Sequence, residues 1–126
     1  MHRSFLITAA LLGALSVALG AFGAHGLKQV LDEKSLAIFE TAVRYQFYHV
    51  FALALTAIVY KEYPLPVTRY AGRLFIAGII VFCGSLYLLT ALPRYSWLGA
   101  ITPLGGICFI SGWIALGVAC IKKNVK

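Results

Sequence analysis

Residues 4–24 read SFLITAALLGALSVALGAFGA, a run that contains no charged side chain and follows directly on Met1-His2-Arg3. A helix of this length, rising about 1.5 Å per residue, covers the roughly 30 Å hydrocarbon core of a bilayer. A cleaved signal peptide is the competing interpretation, because small residues end the run. Its apolar region would be only about 7–15 residues long, however, and further apolar runs follow, so a retained span is favoured. We therefore predict the first transmembrane helix at residues 4–24.

The rest of the chain is similarly apolar. Of its 126 residues, 61% are hydrophobic and 12% are charged, with a mean hydropathy of +0.88, whereas apolar residues make up about 45–50% of a soluble domain. Three further runs, at about residues 36–60, 70–92 and 98–121, are long enough to span a bilayer. Gly26 is expected to end the first helix and Asp32 to cap the second. The sequence predicts an all-α fold, an integral membrane four-helix bundle formed by a single domain over residues 1–126.

The basic residues lie at the ends of the apolar runs. The formal net charge is +7, but the basic residues form no stripe interleaved with aromatic residues, which argues against nucleic acid as a partner. Four spans put both termini on one side, which then has the larger share of Lys and Arg. That side carries Arg3, Lys61, Arg69, Arg73, Lys122, Lys123 and Lys126, against Lys28, Lys34, Arg44 and Arg94 on the other. The positive-inside rule predicts cytoplasmic termini, with the lipid bilayer as a partner.

The sequence contains no motif of a metal site, a cofactor site or a catalytic centre. The cysteines fall inside apolar runs without Cys-x-x-Cys or Cys/His spacing, which predicts buried thiols rather than a disulfide framework or a zinc site. They are Cys83, Cys108 and Cys120. His25 and His49 differ in depth by about 15 Å along their helices, which argues against a shared metal ion. Because no catalytic triad, zinc-protease or phosphate-loop pattern occurs either, we expect no metal, no cofactor and no enzymatic activity.

Polar side chains are concentrated in the segment ETAVRYQFYH, Glu40 to His49, where the second span begins. Ionisable groups are costly inside membranes, so they are expected to face protein or water, either as a structural lock or as a functional site. At about 100° per residue, Glu40 and Arg44 share one helix face, and we predict that they pair, with His25 beside them. Side chains from the third and fourth spans are predicted at a similar depth along their helices, so they belong to the same group. The predicted polar cluster, in the outer half of the membrane, consists of His25, Glu40, Arg44, Tyr45, Tyr48, His49, Tyr87 and Thr102.

Small residues recur at helical spacing in the first span, and two glycines are adjacent in the fourth. Faces of this kind let another helix backbone approach closely. The predicted helix-packing residues are Gly13, Ser16, Gly20, Gly23, Gly105 and Gly106. Pro103 precedes the last two and is expected to free a backbone carbonyl, which allows a kink in the fourth helix.

Several segments of the chain carry a resemblance to a known family. They are Gly20-Ala-Phe-Gly-Ala-His-Gly-Leu27, Glu40 to His49, Gly84-Ser-Leu-Tyr87, and Ile101-Thr-Pro-Leu-Gly-Gly106 with Gly112-Trp113. With these segments in this order, the chain resembles the domain of unknown function 423 family, also called uncharacterised protein family 0382. This is a family of small bacterial inner-membrane proteins with eukaryotic relatives named transmembrane protein 256. The resemblance implies a four-helix integral membrane protein and implies no particular activity.

Two functions from different classes fit these observations. The first is an association or accessory membrane protein, which uses its small-residue faces to contact copies of itself, as a homo-oligomer, or a larger membrane complex. The alternative is an oligomeric unit that binds or passes an ion or small solute through the outer-half polar cluster. Four helices leave little room for a pore within one protomer, so such a pathway would lie between copies. We favour the first function.

The charge balance generates a prediction about topology. A reporter that works only in the periplasm should be silent when fused after Lys126 and active when inserted near Leu31 or Ser96. Reporter activity in whole cells is the measurement, and a reporter that works only in the cytoplasm, placed at the same positions, is the control. The reverse pattern would contradict cytoplasmic termini.

Overall fold

The computed structural model describes residues 1–123 and contains, within them, four helices that are long and apolar enough to cross a membrane. The third is built from consecutive segments, whereas each of the others is one α-helix through its length. The bounds are Arg3–His25 for α1, Glu33–Val59 for α2, Pro66–Gly78 for α3, Ile79–Cys83 for a π-helical segment, Gly84–Ala91 for α4 and Leu98–Lys123 for α5. The predicted all-α fold with four membrane-length helices is therefore confirmed. Lys126, part of the charge balance, lies outside the described residues.

Local sequence sets the ends of the first two helices. The N–H of Gly26 closes α1 by donating to the carbonyl of Phe22 at 2.8 Å, and a 3-10 turn at Leu27–Gln29 follows. Oδ1 of Asp32 accepts a hydrogen bond from the N–H of Ser35 at 2.7 Å, which caps α2. This bond also lowers the pKa of the Asp32 carboxyl, because it stabilises the carboxylate. Both predicted ends are confirmed.

The second helix lies at the centre of the bundle. It contacts α1 on one side and α3, the π-helical segment and α4 on another, while α5 packs mainly on α3, the π-helical segment and α4. Half of the spanning part of α2, 50%, is buried, compared with 17% of the spanning part of α1. Polar side chains on the inward side of α2 are therefore buried within the protein.

The small-residue face of α1 packs against α2. Cβ atoms added to three of its glycines would lie 2.7 to 3.5 Å from α2 side chains, so the two helices approach closely. In antiparallel order, the pairs are Gly13 with Val50, Gly20 with Val43, and Gly23 with Phe39. Ser16, on the same face, is fully buried. These four α1 residues thus pack as small residues, but their partner is a helix of the same chain.

The third span and α5 interlock by alternating large and small residues. Each step of three or four residues along the third span is matched by an equal step backward along α5. The pairs are Phe75 with Gly112, Gly78 with Phe109, Phe82 with Gly105, and Ser85 with Thr102. In the first two pairs, a phenyl ring from one helix fills the space that a glycine leaves on the other. In the third pair, the backbone of Phe82 lies over the glycine.

The π-helical segment Ile79–Cys83 interrupts the single helix that the sequence predicts at residues 70–92. Its wider turn is closed by the N–H of Gly84, which is shared among the carbonyls of Ile79, Ile80 and Val81. At this point the backbone of Phe82 lies directly over Gly105, where a Cβ atom would overlap it. The expanded turn thus coincides with the closest approach between the two helices.

Gly105 and Gly106 have different environments, although the sequence predicts a packing role for both. A Cβ atom on Gly105 would overlap the backbone of Phe82, whereas one on Gly106 would meet nothing within 4 Å. The reason is the helical period: successive residues differ by about 100° around α5, so only one of the pair faces the third span. Within residues 1–123, Gly106 is therefore not a packing residue.

This contrast predicts different outcomes for two equivalent substitutions. Gly105→Ala should lower the free energy of unfolding by about 1–3 kcal/mol, because the backbone of Phe82 has to move. Gly106→Ala adds the same methyl group to the open side of the same helix and is the matched control, with an expected change within about 0.5 kcal/mol or a gain from helix propensity. Denaturation in mixed detergent micelles measures both. Equal destabilisation by the two variants would contradict the interlocked packing.

Candidate functional site

The structure divides the predicted polar cluster between the interior and the outer surface of the bundle. The members that reach the interior are His49, Tyr87 and Thr102. The members whose side chains are exposed are His25, Glu40, Arg44, Tyr45 and Tyr48. Tyr45 belongs to both groups, because its side chain is partly exposed while its ring packs on Phe82 and lies over His49. The other members of the two groups have different partners, so we treat the groups as two candidate sites.

Gln46 is the centre of the interior group, although the sequence does not single it out. Its side chain is 1% exposed. Its amide Nε2 donates to the carbonyl of Leu12 on α1 at 3.1 Å, and its Oε1 accepts from the hydroxyl of Tyr87 on α4 at 2.7 Å. The hydroxyl of Ser16 donates to the same Leu12 carbonyl at 2.8 Å. One amide therefore ties three helices together.

The signal that could identify Gln46 is its place in the apolar stripe of α2. It lies three residues after Val43 and four before Val50, and both of these valines are buried. This spacing puts the amide on the helix face that packs inward. An inward-facing amide in a membrane helix needs partners on neighbouring helices, since the bilayer core offers none.

His49 is held in one tautomer by its two hydrogen bonds. Its Nε2 lies 3.2 Å from the indole Nε1 of Trp113, and its Nδ1 lies 2.8 Å from the backbone carbonyl of Tyr45. Because an indole N–H can only donate, Nε2 of His49 is the acceptor and carries no proton. Nδ1 then carries the proton and donates it to the carbonyl. The geometry thus describes a neutral imidazole.

Aromatic rings surround this imidazole. The ring of His49 stacks on Phe109 with the centroids 3.5 Å apart and the planes 8° apart. The ring of Trp113 meets it edge-on at 6.1 Å. Phe82, from the π-helical segment, lies 4.7 Å from the ring of Tyr45 and 5.3 Å from that of Phe109. The expanded turn of the third span therefore contributes directly to the wall around His49.

A pair of hydroxyl groups lies just beyond the π-helical segment. The Oγ of Ser85 donates to the carbonyl of Phe82 at 2.9 Å. It also lies 2.6 Å from Oγ1 of Thr102 on α5. Because a serine hydroxyl has one proton, Thr102 is the donor in this second bond. In the described part of the chain, no buried side-chain nitrogen or oxygen is without a hydrogen-bond partner.

The exposed group does not form the cluster that the sequence predicts. Within residues 1–123, Glu40 and Arg44 form no ion pair, and His25 makes no hydrogen bond or ion pair with either of them. The helical period explains why this group is exposed: Phe39 and Val43 occupy the inward stripe of α2, so Glu40 and Arg44, each one residue further on, are rotated outward by about 100°. His25 is rotated by about 200° from Gly23, which faces α2.

Glu40 and Arg44 nevertheless border a shared groove. It lies between α1 and α2 and has a volume of about 160 Å³. Its walls are formed by Gly20, Gly23, Ala24, Phe39, Glu40, Val43 and Arg44. The glycines contribute no side chains to the α1 wall, which leaves room for the groove beside the two charged residues.

Comparison with known proteins identifies the family. The family model described as "Protein of unknown function (DUF423)" matches residues 19–106. The chain is 43% identical to a UPF0382 membrane protein of Staphylococcus haemolyticus, over 95% of this chain and 97% of the relative. It is 44% identical to the UPF0382 membrane protein YwdK of Bacillus subtilis, over 95% and 98%.

The chain belongs to the DUF423 family. The resemblance seen in the sequence is thus confirmed. The names of the relatives and the four apolar helices together identify a multi-pass membrane protein. No solved structure matches the chain.

The matched region of the DUF423 family contains most of both candidate sites. Gln46, His49 and Tyr87 lie within residues 19–106, as do Glu40 and Arg44. Trp113, which donates to His49, and Leu12, whose carbonyl accepts from Gln46, lie outside that region. The interior site is therefore completed by the first and last helices of the chain.

The Gln46 centre generates a prediction about coupled stability. Tyr87→Phe leaves the Oε1 of Gln46 without its donor, and Gln46→Leu leaves the hydroxyl of Tyr87 without its acceptor, so each change should cost about 1–2 kcal/mol. The double variant should cost less than the sum of the two, because it leaves neither group unpaired. Unfolding in mixed micelles provides the double-mutant cycle.

The control for this cycle is Tyr95→Phe, which removes the same hydroxyl from an exposed tyrosine. It should leave the free energy of unfolding unchanged within about 0.5 kcal/mol. Strict additivity of Gln46→Leu and Tyr87→Phe would show that the hydrogen bond between them contributes nothing.

Proposed function

We propose that this protein works as an association unit of the bacterial inner membrane, and that it binds a second copy of itself through one face of α2. We call this the charged face of α2 and define it as Glu40, Arg44 and Tyr48. The observation that carries the proposal is that two opposite charges, one helical turn apart, are exposed on a membrane-length helix without pairing with each other.

The small-residue faces are less suited to this role than the sequence suggests. The glycines of α1 are in contact with α2, and Gly105 of α5 is in contact with the third span, so these faces are used inside one chain. The charged face of α2 is not used in this way. It therefore takes the place of the small-residue faces in the association hypothesis.

The depth of the two charges supports a protein partner. Measured along α2 from Val59, next to Lys61 at the membrane interface, Glu40 lies about 28 Å and Arg44 about 22 Å up the helix. A hydrocarbon core of roughly 30 Å then includes Arg44 and has Glu40 near its outer edge. Charges at such depths are unfavourable against lipid and become acceptable when they pair with an opposite charge.

A second copy supplies that opposite charge with the correct geometry. Two copies related by a two-fold axis along the membrane normal present the same face to each other. Glu40 of each copy then faces Arg44 of the other, and the pair forms twice. The two residues differ in depth by about 6 Å, which the long side chain of arginine can bridge by extending toward the interface.

The proposal includes a location in the inner membrane and a topology with both termini in the cytoplasm. The larger share of Lys and Arg at the end of the bundle that carries both termini supports a cytoplasmic position for that end. The satisfied hydrogen bonds of the interior, within residues 1–123, support a structural role for the interior site rather than a passage for ions or solutes. Enzymatic activity is not part of the proposal.

Charge reversal provides the test. Glu40→Arg gives a face with two positive charges and Arg44→Glu gives a face with two negative charges, so each variant should lose self-association by tenfold or more. Co-expressed with different affinity tags, the two variants should associate with each other, because their faces are complementary. The exchange variant Glu40→Arg with Arg44→Glu should associate with itself. Native mass spectrometry and tag co-purification from mild detergent are the measurements.

The matched control is Arg94→Glu, which reverses an exposed arginine in the connection before α5. It should leave self-association unchanged. The proposal is wrong if the wild-type protein is monomeric in detergent and in membranes. It is also wrong if the single variants associate as strongly as the wild type, or if the two complementary variants fail to associate with each other.

A further inference from the structure

We propose that the first turns of α3 form a binding site for the phosphate group of an anionic phospholipid. The site is a pocket of about 180 Å³ lined by Pro66, Arg69, Tyr70 and Arg73. We call it the arginine pocket. It is separate from the charged face of α2, which lies on another helix, and the two proposals do not depend on each other.

The arginine pocket lies at the end of the bundle where the chain begins. The N–H of His2 donates to the carbonyl of Ala57 near the end of α2 at 2.9 Å. The ring of Phe5, at the start of α1, covers Gly72 of α3 so closely that a Cβ atom there would overlap it. The start of α1, the end of α2 and the start of α3 therefore share one end of the molecule, and the pocket belongs to that membrane interface.

The far side of α3 is fixed to the rest of the protein, which leaves the arginines facing outward. Thr68 is fully buried, and its hydroxyl donates to the carbonyl of Tyr63 at 2.7 Å. Ala71 is also fully buried. Arg69 and Arg73, in contrast, are exposed, so the helix that carries the pocket is packed on its far side and presents two cationic side chains outward.

The two arginines create a need for an anion. They are four residues apart on one helix, which makes them neighbours, and two like charges at this spacing repel each other. Within residues 1–123, neither guanidinium forms an ion pair. A phosphate group between them would replace this repulsion with attraction on both sides. Guanidinium groups are well suited to it, because each can donate two parallel hydrogen bonds to phosphate oxygens.

The position of the pocket favours a lipid phosphate over a free phosphate ion. Arg69 and Arg73 lie about 4 and 10 Å along the helix from Pro66, at the start of a membrane-spanning segment. This range corresponds to the headgroup region of a bilayer rather than to bulk water. Tyr70 is 57% exposed beside them, and its amphipathic ring fits the same region, where it presents a hydroxyl donor to the phosphate.

Thermal unfolding of the full chain in uncharged detergent tests the proposal. Phosphatidylglycerol added to the micelles should raise the midpoint temperature more than the same amount of phosphatidylcholine does. In the double variant Arg69→Gln with Arg73→Gln this difference should disappear, and native mass spectrometry should show at least a tenfold loss of retained phosphatidylglycerol. Arg69→Lys with Arg73→Lys keeps both charges without the guanidinium geometry and should retain part of the preference.

The matched control is Arg3→Gln, which removes one exposed arginine from the same end of the bundle and should keep the preference. Circular dichroism establishes that each variant is folded. The proposal is overturned if the double glutamine variant prefers phosphatidylglycerol as the wild type does, or if Arg3→Gln removes the preference equally. It is also overturned if inorganic phosphate at the same concentration stabilises the wild type as much as the lipid, which would indicate a site for the free ion.

Discussion

Close contact between helices is the constraint on which this structure depends. A bilayer offers apolar surroundings on every side, so burying apolar surface gives little reason for one helix to prefer another helix over lipid. What remains is the quality of the contact itself. The contacts between the third span and α5 satisfy this constraint, because glycines receive the rings of Phe75 and Phe109 and the backbone of Phe82. The glycines of α1 satisfy it against α2 in the same way.

The second constraint concerns polar groups in the interior, and α2 meets it with two residues that point to different neighbours. Gln46 reaches α1 and α4, while His49 reaches α5. Each bond has a definite donor and acceptor, so the helices are fixed in rotation as well as in distance. The outward side of the same helix carries charges that lack partners within the described chain, and this difference between the two sides is the basis of the association proposal.

The sequence was sufficient for those features that depend on composition and on single residues. The four apolar runs, the cap at Asp32 and the helix end at Gly26 each follow from short segments read alone. The partners of polar residues were harder to predict. Glu40 and Arg44 are adjacent on a helical projection, but whether they face inward depends on which stripe of α2 packs against α1. The ring of Phe39 and the side chain of Val43 form that stripe. The spacing of Gln46 marks it as facing inward, but its partners, like the partner of Trp113, lie on other helices and follow only from how the helices pack. The π-helical segment has no distinct composition, since Ile79–Cys83 is as apolar as an ordinary span.

The hydrogen bond between Trp113 and His49 makes the protein's own fluorescence informative. The chain has two tryptophans. Trp97 is 60% exposed, and Trp113 is 45% exposed but directs its indole N–H inward to the imidazole. One indole therefore reports the surface of the protein, while the other reports the hydrogen bond to the buried imidazole of His49. A chain in which Trp97 is replaced by phenylalanine would carry a single intrinsic fluorophore, and its emission would follow the docking of α5 against α2 without any added label.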